Sequence, residues 1–327
     1  MILDWLPALL VPVVIWVVWR LQAWSVQGLR GSMVRLTRGN RGLYHTISWF
    51  GTLLHEISHA LVLLLSGHGI RGFNVRSTTG HVLPARLRRD PLSTLAFGLA
   101  ALAPQFFVPF LVILGASLVG SQATGEAWGL SMAWSAGPGW SGFLDALEGL
   151  ARFPLVPAKG LLRMDLATWQ GILFLAIVLL GAPGTRPSHV KEKGQSDGDI
   201  AVLRARIKSQ PVPFLALLVV VVLAHPILMW LAPAAYWLPI TWVWILGVTG
   251  IFIALFGSLV WATVYRNSRI QWPLAWIPLA VGVGLQVVLR WQDTDAWIVN
   301  PVSFGAWIAL AWTLAAVAQK RDVYSRF

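Results

Sequence analysis

No cysteine occurs in this 327-residue chain, which excludes disulfides and thiolate metal ligands and leaves His, Asp and Glu as the side chains able to hold a metal. Charge is also scarce. Asp, Glu, Lys and Arg make up 12% of the residues, against about 25% in an average soluble domain. With 57% hydrophobic residues and a mean hydropathy of +0.67, the apolar surface exceeds what a water-soluble core of this length can hide. Histidine is limited to 7 residues and the two acidic types together to 13, so a cluster of them stands out. The chain begins Met1-Ile2-Leu3-Asp4 without the basic region of a secretory signal, so its first apolar segment is expected to stay as an anchor.

Long apolar runs take the place of what is missing. Segments near 5–24, 43–65, 95–120, 168–182, 211–231, 239–265, 272–289 and 302–318 approach the roughly 20 residues that a helix needs to cross a bilayer. The sequence therefore predicts an all-α polytopic membrane protein of about eight transmembrane helices, an integral multi-pass protein of a bacterial or archaeal cell membrane. Tryptophans gather near the ends of these segments (Trp16, Trp19 and Trp24; Trp272 and Trp276; Trp291 and Trp297), as interfacial anchors do. The net charge of +12 would suggest nucleic acid in a soluble protein. Here the basic residues crowd into loops, where they set orientation and meet anionic lipid head groups, so membrane lipids are expected partners and nucleic acid is not.

Loops 66–91, 183–210 and 266–269 and the C-terminal tail are basic and are expected on the cytoplasmic side, with 121–167, 232–238 and 290–301 opposite. Residues 20–41 carry Arg20, Arg30, Arg35, Arg38 and Arg41, which strict alternation would place outside. Pro7 and Pro12 allow a re-entrant or interfacial first segment that relieves the conflict.

Within the second run stands His55-Glu56-Ile57-Ser58-His59. On a helix, positions i and i+4 share a face, so His55 and His59 can reach one zinc ion while Glu56 addresses a water bound to it as catalytic base. Given 7 His and four Glu, chance supplies about 0.002 such patterns in the chain. The alternative is a pair of structural histidines with a buried glutamate satisfied by neighbours, but ionisable groups at membrane depth are costly and usually functional. His45, about ten residues earlier, is too far along the helix to share the ion. His68 and His81 read as loop residues, Asp90 as an interfacial ion pair beside Arg88 and Arg89, and His225 as a partner in a helix–helix hydrogen bond.

After this helix, Ser66-Gly67-His68-Gly69 is a stop, and Ile70-Arg71-Gly72-Phe73-Asn74-Val75 followed by Gly80-His81-Val82-Leu83 predicts a short β-hairpin. A span bearing His-Glu-x-x-His-Ala, then a small-residue stop and this strand-like segment, resembles the catalytic core of the site-2 protease family, zinc metalloproteases that cut within membranes. The resemblance covers about residues 43–120 and a later ligand segment. It implies His55 and His59 as zinc ligands, Glu56 as base, and a transmembrane protein as substrate. It also gives Ala103-Pro104-Gln105 the place of the family's Gly-Pro or Ala-Pro element, although Pro104 reads equally as a kink and Gln105 as a helix–helix bonding residue. Ser58, Gln105 and Asn74 are candidates to line a water path.

The family's Leu-Asp-Gly ligand motif is missing, and the third ligand stays open. The zinc histidines precede Leu65 by six to ten residues, which places the metal about 9–15 Å from the end nearest the basic loops. A ligand from that side is expected. Gln195-Ser196-Asp197-Gly198-Asp199-Ile200 supplies Asp199 and resembles an element of divergent family members, although Ser196 and Asp199 are also a capping pair. His189 and Asp145, the latter in a weak echo of the missing motif at Phe143-Leu144-Asp145, are the alternatives. The chain thus divides into an N-terminal anchor and basic loop (1–42), a zinc metalloprotease membrane core (43–210) and a C-terminal four-helix membrane region (211–327). Two other classes share these features: a non-proteolytic transporter or scaffold with a degenerate site, and a zinc enzyme acting on a lipid or small amide.

Overall fold

Helices dominate the computed structural model, which describes residues 6–36, 41–77, 79–86, 90–119, 139–152, 161–162, 168–185, 204–205, 207–209, 211–268, 270 and 274–324. In chain order they are α1 (Leu6–Leu36), α2 (Arg41–Leu65), α3 (Pro91–Val119), α4 (Gly139–Arg152), α5 (Trp169–Gly181), α6 (Pro211–Leu231), α7 (Pro233–Asn267), α8 (Ile277–Trp291) and α9 (Ala296–Tyr324). Strands β1 (Ile70–Val75) and β2 (Gly80–Pro84) lie between α2 and α3. Among the described residues, five helices are long and apolar enough to cross a membrane: Arg41–Leu65, Leu92–Gly115, Ala235–Asn267, Leu274–Trp291 and Ala296–Gln319. They coincide with five of the eight expected spans. The expected span at 168–182 is a shorter apolar helix, and those at 5–24 and 211–231 are helical without joining the five. The first segment is one unbroken helix rather than a re-entrant turn.

The long helix α7 is the centre of the bundle. Half of its apolar window is buried, against 11% for the window ending in α8, so α8 and α9 form a peripheral pair. Small residues let α1 run parallel to α7 at close range: a Cβ on Gly247 would collide with Val18 and one on Gly250 with Gln22, while Ser32 Oγ and Ser258 Oγ meet at 3.0 Å further along. Leu29, Ile47, Val112, Val178, Ile253 and Trp261 draw α1, α2, α3, α5 and α7 into one core. On the outside, Val212, Val220, Leu223 and Leu231 of α6 are each more than 60% exposed, an apolar surface that suits lipid and not water.

Helix α2 ends in a Schellman turn. His68 N–H donates to Leu63 O at 2.9 Å and Gly67 N–H to Leu64 O at 3.0 Å, with Gly67 at φ +75°, where a side chain would be strained. The hairpin then forms with Val75 opposite Gly80 and Phe73 opposite Val82, and a bulge between Ile70 and Gly72. It folds back along α2 instead of projecting from its end, so that Ser77 Oγ reaches His45 Nδ1 at 3.2 Å. By rise per residue, His45 lies about 30 Å from Leu65. The hairpin therefore covers one flank of α2 over most of its length.

Candidate metal centre

Residues 55 and 59 lie one helical turn apart, so their side chains share a face of α2. That face meets α3 on one side and the 3₁₀ turn Ala182–Thr185 after α5 on the other. His59 Nδ1 donates to the Ala100 carbonyl of α3 at 2.7 Å, and His55 Nδ1 points to the Gly184 carbonyl at 3.4 Å. A carbonyl only accepts, so each neutral ring carries its proton on Nδ1 and keeps its lone pair on Nε2. The two Nε2 atoms face each other 3.1 Å apart, with the rings nearly perpendicular at 85°. Two lone pairs this close repel unless a proton or a cation lies between them. Zinc held at about 2.0–2.1 Å from two nitrogens in tetrahedral geometry would set those nitrogens about 3.3 Å apart, so the pair fits two positions of such an ion. The Nδ1–carbonyl bonds are the kind of support that orients metal-binding imidazoles.

Glu56 is the next residue on the helix, and its side chain is 5% exposed. The start of β2 lies directly over it. A Cβ at position 80 would sit 2.5 Å from Glu56 Cγ and 2.6 Å from Oε1, so only glycine allows the hairpin this close. A similar approach brings the 3₁₀ turn to His55: a Cβ on Gly51 would lie 2.6 Å from Pro183 Cβ, and one on Gly184 would lie 2.7 Å from Gly51 O.

A polar chain with buried His68 and Ser93 at its middle fastens α2 to α3 at the end nearest the hairpin. Ser66 Oγ meets His68 Nδ1 at 3.1 Å, His68 Nε2 meets Ser93 Oγ at 2.9 Å, and Ser93 Oγ donates to Asp90 Oδ2 at 2.8 Å. Asp90 also accepts from Ser93 N–H at 2.7 Å, so it caps the N-terminus of α3. Arg88 and Arg89, the expected ion-pair partners of Asp90, lie outside the described residues. His225 makes the inter-helix bond expected of it, 3.0 Å from the Tyr236 hydroxyl.

Gln105 points away from the histidines. Its Nε2 donates to Gln22 Oε1 at 3.0 Å and its carbonyl accepts from Gln22 Nε2 at 2.8 Å, which makes it a tie between α3 and α1 instead of the lining of a water path. Ser58 donates to His55 O at 2.6 Å within its own helix, and Asn74 is exposed on β1. Asp145 lies on the exposed face of α4, whose buried Phe143 packs with Trp237. Among the described residues, no group of three His, Asp or Glu side chains has metal-ligand spacing. Asp199 and His189 lie outside the described residues.

Sequence reasoning missed the partners of the imidazoles, because they are backbone carbonyls of residues whose own side chains carry no chemistry. One signal was present: Pro104 follows Ala100 by four positions. The chain matches no protein-family profile, no characterised protein and no solved structure.

Proposed function

We propose that this chain is an intramembrane zinc metalloprotease in which His55 and His59 hold the metal and Glu56 is the base. The observation that carries this reading is the convergence of the two Nε2 atoms at 3.1 Å while both Nδ1 atoms address backbone carbonyls, with Glu56, the next residue on the helix, buried beneath β2. Zinc, when bound, supplies a water acidified to a pKa of about 7 and a Lewis acid that polarises the peptide carbonyl. Glu56 takes the proton of the attacking water and passes it to the leaving peptide nitrogen. The third ligand is proposed to be Asp199. Support comes from the 3₁₀ turn, because the chain leaves it at Thr185, beside His55, and runs on into the segment that carries His189 and Asp199. Asp145, the alternative that lies among the described residues, is exposed on α4.

In this reading α1, α5 and α6 also lie within the bilayer, and the hairpin beside α2 sits at membrane depth. Non-helical backbone is tolerated there only where protein buries it or water reaches it, so exposed Arg71, Asn74 and Arg76 imply a wet cavity next to the site. A substrate helix must unwind before attack, which leaves backbone groups unsatisfied at several kcal/mol each. No third strand pairs with β1 or β2 among the described residues. An unwound substrate can therefore add to the open edge of β1 and recover its backbone hydrogen bonds.

The test begins with metal analysis of protein extracted gently and without chelator, which should hold near-stoichiometric zinc. Glu56→Gln should keep zinc and fold yet stop cleavage of a co-expressed membrane-protein substrate. Cleavage at the wild-type rate by this variant would remove the protease reading, and a zinc-free wild type would remove the metal.

A further inference from the structure

We infer that Pro104 is a positioning residue for His59: by lacking an N–H, it releases the Ala100 carbonyl that fixes the imidazole with its proton on Nδ1 and its Nε2 turned to His55. The inference rests on the metal reading above and names a component of the same site. In an uninterrupted helix the carbonyl of residue 100 accepts from the N–H of residue 104. Proline has none, and its ring pushes the carbonyl of the preceding turn aside. Both Pro104 and Ala100 are buried, so the freed oxygen needs a partner from the protein. His59 Nδ1 provides it at 2.7 Å.

The same helix repeats the device five residues on. Pro109 removes the N–H that would meet Gln105 O, and that carbonyl accepts from Gln22 Nε2 at 2.8 Å. Two prolines inside α3 thus expose two buried carbonyls, and a side chain from a different helix takes each one. One of these bonds anchors α1. The other sets which nitrogen of a metal-binding histidine carries the lone pair, because an Nδ1–H donor bond puts the acceptor lone pair of the neutral ring on Nε2. Any other residue at 104 restores an N–H that draws Ala100 O back into the helix ladder and away from His59.

The experiment compares zinc affinity of the full-length wild type, Pro104→Ala and Pro109→Ala by chelator competition, alongside ¹⁵N resonances of the His59 ring in zinc-free wild-type protein. Pro104→Ala should bind zinc about 10–100-fold more weakly, the loss typical when a partner of a metal-binding imidazole is removed. Pro109→Ala makes the same chemical change at the carbonyl used by Gln22 and should stay within about twofold of wild type. In the zinc-free wild type, the His59 proton should reside on Nδ1. Equal affinity of wild type and Pro104→Ala would overturn the inference while leaving the metal site standing. A His59 ring protonated on Nε2 would overturn it even if the variant failed to fold, and a wild type without zinc affinity would remove both readings together.

Discussion

Glu56 and Gly80 show how much one missing methyl group can decide. The carboxylate is buried beneath β2, and the strand passes over it only because residue 80 has no side chain. Gly80→Val should therefore displace the carboxylate or lift the strand, either of which, in the proposed mechanism, moves Glu56 from the water it would deprotonate. Misplacement by about 1 Å can cost roughly 10²-fold in rate, so cleavage should fall by about that factor while bound zinc remains near wild type. Parallel metal analysis and substrate-cleavage assays check this. A variant that cleaves normally would show that β2 does not control the position of Glu56. The histidine pair was legible at this scale because i, i+4 geometry needs only a local helix. Its carbonyl partners were not: every residue carries that oxygen, and only packing selects which two face the rings.

At the scale of elements, the hairpin is the part whose placement matters most. Its existence followed from Gly67 and Gly69 as a stop and from the short alternating segments, and both glycines do adopt positive φ. Its direction did not follow, because the turn that sends it back along α2 depends on the register of β1 against the helix flank. The contact between His45 and Ser77 offers a handle. In a chain without cysteine, the double variant His45→Cys and Ser77→Cys introduces a single possible disulfide. Oxidised, it should hold the hairpin against α2 as it lies here, with the outer edge of β1 open, and cleavage should match that of the reduced form. Gel-shift quantification of the crosslink beside cleavage under both conditions is the measurement. Loss of cleavage on oxidation alone would overturn strand addition to the hairpin in the position seen here.

Across the whole molecule, polar ties within an apolar bundle hold the site-bearing helices to the rest. Gln22 and Gln105 bond each other while 1% and 2% exposed, at the point where Gly250 brings α7 against them. Gln22→Leu removes one partner and leaves the Gln105 carbonyl and amide unsatisfied, at a cost of about 1–3 kcal/mol. Reversible unfolding in mixed detergent should show that loss, with zinc affinity unchanged because the histidines take their support from Ala100 and Gly184. An unchanged unfolding free energy would mean that the pair contributes nothing net. Five helices coincide with apolar runs that hydropathy marks out, since length and composition are local properties. The central place of α7 was not readable, because it arises from Gly247 and Gly250 meeting particular side chains of α1.

The sequence by itself determined the helical, apolar character of the chain, the motif face of α2 and the hairpin that follows, because each depends on residues within a turn or two of one another. Tertiary structure decided the rest. It chose Ala100 O and Gly184 O as the imidazole partners, laid the hairpin over Glu56, and turned Gln105 toward α1. These outcomes depend on which helices approach within hydrogen-bond distance, and that is set by the packing of distant glycines and prolines, not by the pattern along any single segment.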